Sequence, residues 1–212
     1  MPHQGEKTPN RAVIYISDSR RTGIERLKEV AVRAAAAGLS ALILRERTLD
    51  SGRLLALAAE LRALTRPHDC RLIVHSAADV ARAVDADGVH LAAAGMEEAR
   101  AIRRWWGVPG KTISVSCHDA DQLRRAAEVG ADFALLSPLF ATASHPQRPP
   151  LGVERWRALA TAAPLPVVAL GGITPANRAV LADWPVALMR GLDEAESVEE
   201  ALYTLLLRHD SG

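Results

Sequence analysis

Short runs of valine, isoleucine and leucine alternate along this chain with longer stretches whose apolar residues recur every three or four positions. The short runs predict buried strands at Ala12–Ser17, Ala41–Leu44, Arg71–Val74, Gly88–Leu91, Thr112–Ser116, Phe133–Leu136, Val167–Leu170 and Val186–Met189. The longer stretches predict helices at Gly23–Ala37, Leu49–Thr65, Ala78–Val84, Met96–Trp106, Ala120–Val129, Val153–Ala162, Thr174–Ala182 and Val198–Arg208. Strand and helix in strict alternation make repeated βα units, which pair as a parallel sheet. Eight units predict a single (β/α)8 TIM barrel over residues 12–212, with residues 1–11 as a disordered tail. At 212 residues the chain is short for that architecture, which typically needs roughly 250, so its loops must be brief.

Two similar phrases, Ala86-Asp87-Gly88-Val89 and Gly130-Ala131-Asp132-Phe133, each follow an alanine-rich helix and lead into a strand. Glycine and aspartate there predict a helix stop and a turn at the barrel bottom, the face that serves stability rather than chemistry. Trp105 and Trp106 are adjacent and cannot both face the barrel, so one is exposed or joins a subunit contact; a homo-oligomer stays open. Trp156 and Trp184 read as packing between helix and barrel.

Composition narrows the partner. A formal net charge of +1 gives no field that argues for nucleic acid or an anionic membrane. Charged residues interrupt every apolar run before the ~18 residues a membrane span needs. Cys70 and Cys117 make no disulfide framework, and Met1 to Arg11 lack the apolar stretch of a signal peptide, so a cytoplasmic protein is expected. The expected partner is a small phosphorylated molecule. Lysine occurs only at positions 7, 28 and 111, none of them at a strand top, which disfavours Schiff-base chemistry.

The residues just after the strands would converge on one cavity. They are Arg45, Glu46 and Arg47, His75 and Ser76, His90, Ser116, Cys117 and His118, the connection from Ser137 to Pro146, Gly171 and Gly172, and Arg190 and Gly191. This cationic, histidine-rich set suits an anion that undergoes proton transfer. Gly171-Gly172 precede Ile173-Thr174-Pro175, and such a strand end can offer backbone N–H groups to an anion at a helix N-terminus; a plain tight turn is the other reading. His75, His90, His118 and His145 lack the spacing and cysteine partners of a zinc site. His90 reads as packed beneath the site, and Cys117 as a small apolar filler unless it faces inward beside His118.

Leu44-Arg45-Glu46-Arg47, Gly88-Val89-His90-Leu91, Val115-Ser116-Cys117-His118, Pro138-Leu139-Phe140 with Thr142, Pro149-Pro150-Leu151-Gly152 and Ala169-Leu170-Gly171-Gly172-Ile173-Thr174-Pro175 stand in one order and spacing. In that order the chain, from about Val13 to Leu207, resembles the thiamine phosphate synthase family, which also holds the TenI-like thiazole tautomerases. The resemblance implies a (β/α)8 barrel in thiamine biosynthesis. It implies, for a synthase, joining of a pyrimidine diphosphate to a thiazole phosphate with release of pyrophosphate, helped by magnesium.

The chain departs from that pattern. His75-Ser76 stand in place of an Asn-Asp pair, and Ala93, Ala94 and Gly95 in place of a second acid, so the magnesium ligands are replaced by Ser76 and Gly95 and no metal or cofactor is expected. Ile43 replaces a glutamine, Arg47 a lysine, and His145 the lysine of the strand-six loop. The thiazole half is fuller: Thr142, Ser144 and Ser116 keep hydroxyls, Gly171 and Gly172 keep a phosphate cradle, and Arg190 stands where the family often has serine. His118 matches the catalytic histidine of tautomerase-like members, and the competing reading makes it a helix cap. The expected function is therefore metal-independent proton transfer on a thiazole phosphate. The alternatives are a divergent thiamine phosphate synthase and a non-catalytic phosphate-binding or partner protein, with Arg45, Arg47, His75 and His145 lining the other half-site.

Overall fold

Each strand carries two apolar faces, and the protein closes both. The computed structural model describes residues 12–142, 147–181 and 184–207. Strands β1 (Val13–Ile16), β2 (Ala41–Leu44), β3 (Arg71–His75), β4 (Gly88–Leu91), β5 (Thr112–Cys117), β6 (Phe133–Leu136), β7 (Val167–Leu170) and β8 (Val186–Leu188) pair in parallel. They form a closed barrel in chain order, with β8 returning to β1 through Val13–Val186, Ile14–Ala187 and Tyr15–Leu188. Helices α1 (Ser19–Ala36), α2 (Ser51–Thr65), α3 (Ala78–Ala83), α4 (Ala99–Trp106), α5 (Ala120–Glu128), α6 (Val153–Ala162), α7 (Arg190–Asp193) and α8 (Val198–Leu206) complete the described set. This is the (β/α)8 barrel that the alternation predicts.

Period-two alternation divides the strand residues. Ile14, Ile16, Ala41, Ile43, Ile73, Phe133, Leu135, Val168 and Ala187 form a cluster of strand side chains only, the barrel interior. Their neighbours Val13, Tyr15, Leu42, Leu44, Leu72 and Val74 belong to the larger core that includes helix residues. Each fully buried aliphatic side chain contributes about 1.5–3 kcal/mol, so the two faces together hold the strands in register. On the β4 and β5 side the inward positions are polar: His90, Ser114 and Ser116 continue the alternation of Val89, Leu91, Ile113 and Val115.

The bottom turns behave as expected at their aspartates. Asp87 accepts from the Leu72 N–H and from Arg62, and Asp132 from the Ile113 N–H and from Arg103, so each carboxylate fixes a strand start to a neighbouring helix. Gly130 (φ +81°) is the helix stop of the second phrase. In the first phrase the left-handed residue is Asp85 (φ +51°), and Gly88 serves instead for close approach, since a Cβ there would lie 2.3 Å from the Thr112 carbonyl oxygen. Trp106 is buried and Trp105 is exposed, with the Arg82 guanidinium 4.6 Å from the Trp105 ring centre. Trp156 donates through Nε1 to the Leu136 carbonyl and meets Trp184 edge-on, the packing the sequence suggests.

Four helix boundaries differ from the sequence reading. Helix α1 starts at Ser19 and breaks at Gly23, whose φ of 84° and ψ of 164° are not helical. Residues Ala93–Glu98 form a 3-10 segment before α4, with Gly95 weakening a longer helix. The stretch expected as a helix over Thr174–Ala182 is a 3-10 segment, Pro175–Leu181. Asn177 takes the Thr174 N–H on its Oδ1 and donates to the Gly172 carbonyl, and buried Arg178 donates to the carbonyls of Leu181, Trp184 and Leu205. Those side chains compete with the α-helical ladder. Last, α7 starts at Arg190, where the sequence suggests loop. Among the described residues no helix is long and apolar enough to cross a membrane.

Candidate functional site

The strand tops enclose a cavity of about 400 Å³. Arg45, Arg47, His75, Ser116, His118, Thr142, Gly171, Gly172 and Arg190 all line it, together with His90. Ser144 and His145 lie outside the described residues, as does the tail over residues 1–11. Glu46, grouped with this set by its place after β2, turns away. Its carboxylate accepts from the hydroxyls of Ser17 and Ser19 and from the Ser19 N–H, capping the start of α1. Ser17 Oγ also accepts from the Arg45 N–H at 2.9 Å, so this buried network fixes the loop that carries Arg45 and Arg47.

His90 sits at the floor. One ring nitrogen is 2.9 Å from Ser114 Oγ, the other 2.9 Å from Ser116 Oγ, and the ring stacks at 5.6 Å on His75. Burial, with His75 and Arg45 beside it, pushes His90 down to about 3, so the ring is neutral across the ordinary range. His75 is pushed down to about 4 by burial and by Arg45 and Arg47. Its Nδ1 is buried without a partner.

His118 follows the end of β5, and its Nδ1 lies 2.7 Å from the Ser137 carbonyl oxygen. A carbonyl only accepts, so Nδ1 carries the hydrogen and the neutral ring keeps its lone pair on Nε2. The helix-cap reading falls to its neighbour: Asp119 Oδ1 accepts the Gln122 N–H and caps α5, while the His118 N–H donates to Gln122 Oε1. Cys117 faces the outer core, fully buried, and burial pushes its thiol up to about 12; it forms no reactive pair with His118.

Gly171 (φ +108°) and Gly172 (φ +66°) are required by packing as well as by turn geometry. A Cβ on Gly171 would lie 2.8 Å from Pro138 Cα, and one on Gly172 2.6 Å from the Ala141 carbonyl oxygen. The Leu139 and Phe140 N–H groups donate to Leu170 and Gly171 carbonyls, locking the β6 and β7 loops together. The helix N-terminus expected after Gly-Gly is a correction: its Thr174 N–H is already taken by Asn177, and the segment is 3-10. Arg190 is exposed at the cavity wall, and its side chain has no ion pair among the described residues.

One arrangement that anchors Arg190 is absent from the sequence reading. Fully buried Tyr15 donates to Asp193 Oδ1, and Arg26 donates to the carbonyls of Asp193 and Ala195 at 3.3 and 2.9 Å. Nothing local signals a pairing between residues 178 positions apart.

Magnesium, which the family resemblance implies, needs hard oxygen donors, usually one or two carboxylates beside substrate phosphates. Among the described residues no carboxylate lines the cavity, and no cluster of three metal-ligating side chains occurs. Ser76 is exposed at φ +57° and is not part of the wall. The residues present do not fit the ion.

The family model described as thiamine monophosphate synthase matches residues 13–191. The chain belongs to the thiamine monophosphate synthase family. Within this family it is 35% identical over 159 residues to the putative thiamine-phosphate synthase 2 of Aquifex aeolicus, covering 75% of this chain and 83% of that one. It is 37% identical over 173 residues to the thiamine-phosphate synthase of Roseiflexus castenholzii, covering 80% and 74%. The solved thiamine phosphate pyrophosphorylase from Pyrococcus furiosus superposes with a TM-score of 0.80 at 27% identity, over 92% of this chain and 94% of that one. A 3-keto-L-gulonate-6-phosphate decarboxylase from Vibrio cholerae, at 15% identity and TM-score 0.66, shares the barrel fold. These relatives support a role in thiamine biosynthesis for the family; each is named for the coupling enzyme, and none for a proton transfer.

Proposed function

We propose that this thiamine monophosphate synthase family member binds a phosphorylated thiazole and moves a proton on it without a metal. The observation that carries this reading is His118: its Nδ1–H is held by the Ser137 carbonyl at 2.7 Å, and its ring lines the cavity with Nε2 as the basic nitrogen. The phosphate is assigned to the Gly171, Gly172 and Arg190 side, with Thr142 and Ser116 along the ring. His118 takes a proton from carbon and returns it at the other end of the conjugated system, so the tautomers interconvert with no net proton change. Replacing His118 by alanine is expected to lower turnover of a thiazole phosphate tautomer by about 10²–10⁴ while phosphate affinity stays within a factor of two. Full turnover in that variant would remove the reading.

A second reading is supported by the relatives' names, which favour the coupling reaction over proton transfer: a divergent synthase releasing pyrophosphate from a pyrimidine diphosphate and a thiazole phosphate. Against it stands a described wall of arginines, histidines and hydroxyls with no carboxylate. Assay of pyrophosphate release with both substrates and magnesium separates the two. Tight binding with neither reaction would favour the non-catalytic reading.

A further inference from the structure

The half of the cavity at β2 and β3 carries positive charge that nothing in the protein balances. Arg47 is exposed at the wall and has no ion pair among the described residues. Arg45 is largely buried, and its nearest carboxylate is Asp18 Oδ2 at 4.0 Å. That carboxylate is already engaged by Arg20, at 2.7 Å from Nε and 2.5 Å from Nη2. Burial and the Arg47 charge both oppose the Arg45 guanidinium. His75 faces the two arginines from β3, with neutral His90 stacked behind it from β4.

The state of His75 follows from its surroundings. Protonation would place an N–H on Nδ1, which is buried with no acceptor, beside two guanidinium groups. The neutral ring with hydrogen on Nε2 avoids that cost and leaves Nε2–H as the donor on the cavity side. Two cations and one neutral donor, converging where the wall offers no carboxylate, make a receptor for an oxyanion that brings no metal with it.

We propose that Arg45, Arg47 and neutral His75 form a metal-independent site for a tetrahedral oxyanion, a phosphoryl group, across the cavity from Gly171, Gly172 and Arg190. The site is separate from the proton-transfer chemistry assigned to His118 and does not depend on it. A ligand that filled both ends would carry an anionic group at each, and a ligand with one phosphate would leave this end for a second anion.

Sulfate is the suitable probe, because its charge is constant over the pH range of interest. It is titrated calorimetrically into the full chain carrying Arg190→Ala, which disables the other anion site, in EDTA and again with magnesium. Equal affinity in the two conditions, little changed between pH 5.5 and 8, is the expected result. Arg47→Gln, at an exposed position that leaves the fold intact, should weaken sulfate about tenfold. His75→Phe should weaken it several-fold, and His75→Gln, which restores an N–H donor, should recover part of the loss. No sulfate binding, binding that needs magnesium, affinity indifferent to Arg47→Gln, or affinity that drops tenfold per pH unit in step with His75 deprotonation would each overturn the proposal.

Discussion

His90 is held neutral by a buried site that offers two hydroxyls and no counter-charge. Its ordinary value is 6.5 and its folded value about 3, so between those limits the unfolded chain takes up a proton that the native protein refuses. Stability is then complete above about pH 6.5 and falls as the pH drops toward 3, with a slope near 1.4 kcal/mol per pH unit. His75 acts in the same direction down to about 4. Urea unfolding from pH 7.5 to 4.5 should show stability declining with acid, and His90→Gln should flatten the decline. Parallel profiles for the two proteins would refute the assignment. At this scale the sequence identifies the residue types well, because histidines, arginines and hydroxyls cluster after the strands. It misplaces Glu46, since adjacency to Arg45 says nothing about which side of the strand top a carboxylate takes.

Elements built around glycine carry the second prediction. Gly172 combines φ +66° with a Cβ position 2.6 Å from a backbone carbonyl oxygen and 2.7 Å from Phe140 Cβ. Alanine there pays the left-handed penalty of about 1–2 kcal/mol and also forces the β6 loop outward. Gly172→Ala should lower the melting temperature by several degrees and weaken anion binding at the same time. Gly95→Ala is the control: it has ordinary φ and nothing nearer than 3.6 Å, so the melting temperature should stay unchanged or rise slightly. A Gly172→Ala protein as stable as the parent would show that the two loops are not locked. The strands were legible because their apolar runs are long relative to their turns. The 3-10 segment at Pro175–Leu181 was not, because Asn177 and Arg178 spend their hydrogen bonds on carbonyls and amides whose positions depend on the closed barrel.

Barrel closure seals both thiols in the outer core. Cys70 and Cys117 are at most 1% exposed, and burial pushes each up to about 12, which leaves almost no thiolate at neutral pH. Labelling by a thiol-specific disulfide reagent should therefore follow global unfolding, with both cysteines reacting at one rate that rises in step with urea-induced opening. Fast reaction of either cysteine in the native protein would mean that a helix lifts from the barrel independently. The two cysteines sit on different sides of the barrel, at β3 and β5, so one common rate reports the whole molecule.

What the sequence determined by itself was local and periodic: strand and helix in alternation, the parallel barrel that follows, and a cationic, histidine-rich set at the strand tops. Loss of carboxylates from that set was also readable, because it is a matter of residue identity. Tertiary structure decided the rest. Closure put His90 between two serines of the next strand, turned Glu46 under α1, and brought Tyr15 to Asp193 across the junction of first and last strands. The reason is physical: periodicity fixes which face a side chain takes, whereas its partner is fixed by register and closure, which join residues far apart in the chain.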